Sequence, residues 1–406
     1  MGSERIGSLG SLESLREHNR RRVLDALRSA GVASRAEIAR TTGLSRSTVS
    51  TIVADLQARG LVVERADADA SAGSQGGRPP VLLSLDRSAG ATVGIAFSHD
   101  RVRVAVADLG QRIMAEDVRR MNVGQSATEG LAVAEHLVHR ALLEAGVPRE
   151  RVLGAGLGIP GPIDRRTGTV GSHAILPGWD GVRAGEDMAA RLGVPVYVEN
   201  DANLEALAEA SSGAGRDVAD VVYIMVSAGI GAGVIINGRL HRGVRGTAGE
   251  IGHVLIDENG DVCRCGNRGC LETFAAGPGL ADLLRRTHGP LSVPDMLSLA
   301  ADGDSGVRRV IEDAGRHIGV AAANVCNVLN PERVIVGGEL SAAGDLLLDP
   351  VRDSLRRYAI PAAAEAAVVP GELGERAGVM GALAFAAGES GGALSSRLAS
   401  VAEAAG

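Results

Sequence analysis

Apolar positions in the first 85 residues recur at helical spacing and then alternate. In "LREHNRRRVLDALRSAG" (15–31) Val23, Leu24 and Leu27 fall at i, i+1 and i+4, an amphipathic helix closed by Gly31. Ser34 precedes a short helix whose apolar face includes Ile38, and Thr42-Gly43-Leu44 reads as a tight turn. Ser45 is placed to cap a third helix in which Val49, Ile52, Val53 and Leu56 line one face and Gly60 marks the end. Leu61–Arg65 and Val81–Leu85 read as strands, separated by a polar loop over 66–80.

Beyond residue 90 the pattern becomes strand-rich. "ATVGIAFSHDRVRVAVADLGQRI" (91–113) and "DVVYIMVSAGIGAGVIINGRLHRG" (220–243) share one plan of strand, turn, strand and turn. Strands running into Gly-rich turns recur at 152–170 and 333–347, and helical spacing appears near 126–145, 185–192, 202–214, 277–288 and 305–329. Alternating blocks of this kind predict an α/β body of two lobes with a cleft. The expected organisation is a winged helix-turn-helix over 1–85 with its wing or linker at 66–80, a body over 90–390, and a disordered Ala/Ser/Gly-rich tail over 391–406.

Charge separates head from body. The net charge is −7, yet residues 1–80 hold 12 Arg against 9 Asp and Glu, about +3, which leaves about −10 for the remainder. The small excess points to a head that meets a polyanion. The chain contains no lysine, so a GxxxxGK[ST] phosphate loop is excluded. Aromatic residues are 2% of the chain, which leaves core packing to Val, Leu, Ile and Ala. No stretch is apolar enough to span a bilayer or to serve as a signal peptide, and the reading is a cytoplasmic protein without a membrane partner.

Small polar residues and an Arg on the third helix suit a DNA groove: Ser45, Arg46, Ser47, Thr48, Ser50 and Thr51. Each of the Ser and Thr residues could equally solvate an exposed helix. In "GSQGGRPP" Arg78 sits between flexible Gly76-Gly77 and stiff Pro79-Pro80, as a minor-groove contact or as part of a plain linker.

In the body, "VYVENDANLEALAE" (196–209) ends a strand at Glu199 and opens a helix with Asn200, Asp201 and Asn203. Polar groups at the carboxyl end of a strand face ligand clefts, and a helix cap accounts for one of them rather than three. "GIGAG" could cradle a phosphate or simply turn a strand.

"CRCGNRGC" (263–270) holds three of the four cysteines, and His253 stands ten residues before the first. Four cysteines are too few for a disulfide framework. His253, Cys263, Cys265 and Cys270 form a closed Cys3His set, the ligand chemistry of one structural zinc ion (Zn2+) with no open position for a water. Gly266 and Gly269 allow tight turns around the ion, which would pin Glu250 and Glu272 to one wall of the cleft.

On "GEIGH" (249–253), "CRCGNRGCLE" (263–272), "ENDAN" (199–203), "GIPGPID" (158–164) and "GGRPP" (76–80), the chain resembles the ROK family of repressors, open-reading-frame proteins and sugar kinases over roughly 12–390. The resemblance implies a two-lobed actin/hexokinase-like (ribonuclease H-like) fold and one structural zinc. It also implies sugar contacts at Asn200, Asp201, Glu250, His253 and Glu272. In the family's kinases the residue matching Asp201 is the base that deprotonates the sugar hydroxyl. Those kinases carry a DxGGT-type phosphate loop, where this chain has Ala96 for the Asp and Ser98-His99-Asp100 for Gly-Gly-Thr.

Phe97 and His99 are expected to crowd a nucleotide there and Asp100 to repel it, while His173 or Trp179 would line the sugar site. The expected function is a sugar-responsive repressor without kinase activity. Its partners would be a double-stranded DNA operator and a sugar or sugar phosphate, and it would act as a homodimer or homotetramer. The alternative is a sugar kinase bearing a DNA-binding head.

Overall fold

Local capping sets the first three helices. The structure is a computed structural model that describes residues 12–65, 81–171 and 175–389; Arg78 and the rest of 66–80, His173 and the 391–406 segment lie outside the described residues. Helix α1 (Leu12–Ala30) leads to β1 (Ala33–Ser34). The Ser34 side chain accepts from the Glu37 N–H, and Glu37 reaches back to Ser34, a capping box that opens α2 (Arg35–Thr42). Ser45 accepts the Thr48 N–H at 3.1 Å and starts α3 (Arg46–Ala58). Strands β2 (Val62–Arg65) and β3 (Leu82–Leu85) pair antiparallel, and β1 adds to β3. Val23, Leu27, Ile38, Val49, Val53, Leu56 and Leu83 form the buried core of this winged helix-turn-helix, and Leu109 and Leu153 of the body complete it.

The body holds two five-stranded sheets of one plan. The first is built from β4 (Ala91–Phe97), β5 (Arg101–Asp108), β6 (Ile113–Arg120), β7 (Val152–Ile159) and, beyond a short hairpin of β8 (Ile163–Asp164) and β9 (Thr169–Val170), β10 (Val196–Asn200). The second is built from β11 (Val221–Val226), β12 (Ile230–Ile236), β13 (Arg239–His241), β14 (Arg333–Gly337) and β15 (Ala367–Pro370). The orders are β10-β7-β4-β5-β6 and β13-β12-β11-β14-β15. Each is an antiparallel three-strand meander extended by two parallel strands, so the likeness of 91–113 to 220–243 is the start of a duplicated sheet.

Helices cover the sheets: α4 (Ala127–Ala145) and α5 (Ala184–Leu192) on the first lobe, and α7 (Leu271–Ala275), α8 (Gly277–His288), α9 (Val293–Ala301), α10 (Ser305–Leu329) and α11 (Asp345–Tyr358) on the second. Two helices cross between the lobes. Helix α6 (Asp201–Ser212) leaves β10 of the first lobe and packs on β11 and β12. Helix α12 (377–389) follows β15 of the second lobe and packs on β4 and β7 of the first. They meet at Gly381, where a Cβ would fall 1.9 Å from the Leu204 carbonyl oxygen; only a residue without a side chain permits that approach. No helix of the described residues is long and apolar enough to cross a membrane.

Two expectations are corrected by packing. Trp179 is fully buried, donates its indole N–H to the Val123 carbonyl at 2.7 Å and lies in the first lobe's core rather than the cleft. Phe97 is 1% exposed and stacks edge-on against Trp179 at 4.9 Å, so its side chain does not crowd a nucleotide. Asp100, by contrast, lines the cleft and is paired with Arg101 at 2.9 Å.

Candidate functional site

The cysteine loop closes on itself as its spacing predicts. Ligand atoms of His253, Cys263, Cys265 and Cys270 all lie within 4.8 Å of one another. Cys263 Sγ stands 3.6 Å from His253 Nδ1, and Cys265 Sγ 3.6 Å from Cys270 Sγ. Thiolates at ~2.3 Å and an imidazole nitrogen at ~2.0 Å from one ion stand ~3.5–3.8 Å apart at tetrahedral angles, so the set fits a metal ion. Burial pushes the Cys270 thiol up to about 12 and the Cys263 thiol upward as well. A dication would displace those protons, which makes metal retention weaker at low pH. His253 Nε2, on the far side of its ring, faces Glu250 at 3.8 Å.

Strand ends and helix starts bring the five sugar-contact candidates to one cleft of about 790 Å3, lined among others by Asn200, Asp201, Glu250, His253 and Glu272. Asn200 is the N-cap of α6: its Oδ1 accepts the Asn203 N–H at 3.1 Å, while its Nδ2 donates to the Gly161 carbonyl and to Asp201 Oδ1, each at 3.0 Å. Asp201 also accepts the Ala202 N–H at 2.9 Å. Burial, then the nearby Glu205 carboxylate, holds Asp201 well above the usual carboxyl range. Glu250 is raised too, by burial first. It is aimed by Gly249, whose φ is +96° and where a Cβ would fall 1.9 Å from the Ala232 carbonyl oxygen, so a side chain is excluded.

Three contributors were missed by reading the sequence. Glu199 is buried; it accepts Asn200 N–H at 3.0 Å and Asn203 Nδ2 at 2.9 Å and is paired with Arg242, and so fixes the asparagines from behind. Glu205 accepts the Tyr223 hydroxyl at 2.6 Å on the next turn of α6, and burial raises its pKa to about 7. Arg264 grips Glu272 through two parallel bonds, Nε to Oε1 at 2.7 Å and Nη2 to Oε2 at 2.6 Å. Asn203, by contrast, is buried beneath the cleft wall and is held by Glu199.

At one end of the cleft, residues 98–101 form a tight hairpin turn. Ser98 N–H donates to the Arg101 carbonyl at 2.9 Å, and His99 and Asp100 carbonyls accept the N–H groups of Val123 and Met121. No glycine stands between Phe97 and Arg101 in this hairpin, while Gly229, Gly231 and Gly338 line the cleft elsewhere. Burial, and then the charge of Arg264, lowers the His99 pKa and favours its neutral form.

On the head, Arg46, Ser47, Ser50 and Thr51 are exposed and Thr48 is half-buried, while Val49, Val53 and Leu56 face inward. Ser45 is also exposed, but its hydroxyl is engaged with Thr48 as the cap. Thr51 donates to the Ser47 carbonyl at 3.0 Å and keeps acceptor capacity.

Relatives divide along the same boundary. A profile of the ROK family matches residues 92–389, and one of the MarR family matches 18–70. The xylose repressor of Caldicellulosiruptor bescii is 30% identical over 392 residues, covering 93% of this chain and 97% of that protein. A glucokinase of Halalkalibacterium halodurans is 37% identical over 247 residues, covering 57% of this chain and 74% of the enzyme. A solved ROK family transcriptional regulator, described as a homologue of the Escherichia coli Mlc protein, superposes with a TM-score of 0.80 at 26% identity, over 95% of this chain and 99% of that one. The winged head, the duplicated lobes and a family match spanning well over half the sequence converge: the chain belongs to the ROK family.

Proposed function

We propose that this chain is a sugar-responsive DNA-binding transcriptional regulator, a repressor of carbohydrate uptake or catabolism genes that transfers no phosphoryl group. One observation carries the reading. The exposed polar face of α3 and a polar cleft lacking its first phosphate loop occur in a single chain. The extent of likeness supports it, since the xylose repressor aligns through the head and the glucokinase does not reach that coverage.

In this reading Asn200, Asp201, Glu250, His253 and Glu272 bind a sugar or sugar phosphate. One zinc ion on His253, Cys263, Cys265 and Cys270 holds Glu250 and Glu272 in place. Two or four copies present their heads to operator half-sites, with Arg46, Ser47, Thr48, Ser50 and Thr51 in the major groove and Arg78 at the minor groove. Lobe closure on the ligand would alter head spacing, because the head's core takes in Leu109 and Leu153 of the first lobe. Arg46→Ala should weaken DNA binding and, where the guanidinium meets a phosphate, reduce the salt slope by about one unit. Fluorescence anisotropy across a salt series reads both; unchanged affinity and slope would remove Arg46 from the interface.

A kinase reading is favoured by Asp201 at the start of α6 and by the glucokinase match. A coupled ATP-consumption assay over hexoses and amino sugars separates the two. Our reading expects no turnover; turnover that vanishes in Asp201→Asn would establish the kinase instead.

A further inference from the structure

At the hairpin end of the cleft the chain holds a network of side-chain charge. Arg101 and Arg103 stand on β5, each with 15% of its side chain exposed. Arg101 Nη1 meets Glu375 Oε1 at 2.9 Å, and Arg103 Nη2 meets Oε2 of the same carboxylate at 3.0 Å. Behind them Asp100 holds Arg101 and Glu116 holds Arg103, and Arg376 also pairs with Glu116. Arg120 is largely exposed and reaches Asp100 at 3.5 Å. Arg101, Arg103, Arg120 and Glu375 line the same cleft as Asn200, Asp201 and Glu272.

The burial is lopsided. Glu375 is 67% exposed, whereas the two guanidiniums it bridges are nearly enclosed. An exposed carboxylate rehydrates at little cost when it leaves, and Arg101 and Arg103, each left with one carboxylate partner in Asp100 and Glu116, keep donors free for another anion. One carboxylate gives each Arg a single oxygen. A phosphoryl group has three oxygens and a charge of about −1.5 to −2, enough to serve both forks and a third donor such as Arg120.

Glu339 opposes this from the second lobe, where burial and then Asp100 raise its pKa and favour its neutral form. With Glu375 swung out, Arg101, Arg103, Arg120 and Arg376 face Asp100, Glu116 and Glu339, an excess of one positive charge even with Glu339 ionised.

We propose that Glu375 is a built-in stand-in for an effector's phosphoryl group, and that a phosphorylated sugar displaces it from Arg101 and Arg103. This rests on the sugar-responsive reading above. Displacement has a route to the head: Glu375 lies in the 3-10 turn Gly374–Arg376 that leads into α12, which runs for about 20 Å at 1.5 Å per residue. Near its far end the Ala387 carbonyl accepts Arg28 Nη2 of α1 at 3.3 Å.

Calorimetry on the full chain tests the subsite, with glucose, mannose and N-acetylglucosamine, their 6-phosphates, and inorganic phosphate as probes. At least one 6-phosphate should bind roughly tenfold or more tightly than its parent sugar, the gain expected of one charge-assisted hydrogen bond. Glu375→Gln, a change at an exposed position, should tighten the 6-phosphate several-fold further and leave the parent sugar unchanged. Arg103→Gln should erase the difference.

Inorganic phosphate that binds alone and is lost in Arg103→Gln, with no gain for any 6-phosphate, would support the subsite and assign it to the free anion. Parent sugars binding as well as or better than their 6-phosphates, with no binding of inorganic phosphate, would overturn the subsite and spare the sugar-responsive reading. No binding of any sugar, sugar phosphate or phosphate would overturn both.

Discussion

Cys270→Ser is expected to release the metal and to lower the unfolding temperature by roughly 4–6 °C, the shift for about 3–4 kcal/mol at the unfolding entropy of a body of about 300 residues. Cys270 does more than donate a thiolate. It is the N-cap residue of α7, it bridges to Leu255, and it stands two residues before Glu272. The loop from Asp257 to Gly269 has a single β-bridge of its own, Val262 with Arg268, and little regular structure, so an ion held by the four ligands would supply the cross-link that a hydrophobic core supplies elsewhere. Metal analysis and a thermal scan check the prediction together. One zinc per chain in the wild type, lost in the variant along with stability, is the expected result; a wild type without metal would end the claim.

Asp201→Ala and Glu272→Gln are expected to abolish the sugar response while leaving sugar-free DNA binding intact. Allosteric coupling of this type changes affinity by about 5–150-fold, and both variants should reduce that factor to near one. Asp201 sits on α6, which crosses from the first lobe to the second, and Glu272 opens the second lobe's wall. A ligand touching both would draw the lobes together. Glu272→Gln also unfastens Arg264, whose fork holds a carboxylate with only 10% of its side chain exposed. Anisotropy titrations with and without sugar separate the outcomes: lost response with retained DNA binding fits, whereas loss of both would mean that the substitutions unfold the chain.

Much of the fold was legible because its signals were local. Gly31, Ser34, Ser45 and Gly60 bound the head's helices where capping chemistry requires. What escaped was fixed by distant partners. Edge strand β6 carries Met114 and Val118 outward and Glu116 and Asp117 between them, so it lacks apolar alternation. Helix α11 contains Pro350 at its sixth position, inside the helix, a poor helix signal. Helix α12 is built of Gly and Ala with few large apolar residues, because it lies against Gly94 and Gly156 of the sheet at backbone distance. The metal set was legible from Cys and His spacing. The grip of Arg264 on Glu272, the support of Glu199 by Arg242 and the bridge of Glu375 to two arginines were not. Most join residues that only the tertiary fold brings together, and Trp179 was misplaced for the same reason.

The central claim is that sugar binding in the cleft changes DNA binding by the head. The most direct measurement takes genomic fragments selected by the protein itself and titrates it onto them with and without a panel of sugars and sugar phosphates. The account predicts that at least one compound shifts DNA affinity by about fivefold or more, and that Asp201→Ala removes the shift. Tight, specific DNA binding that no sugar or sugar phosphate alters would contradict it.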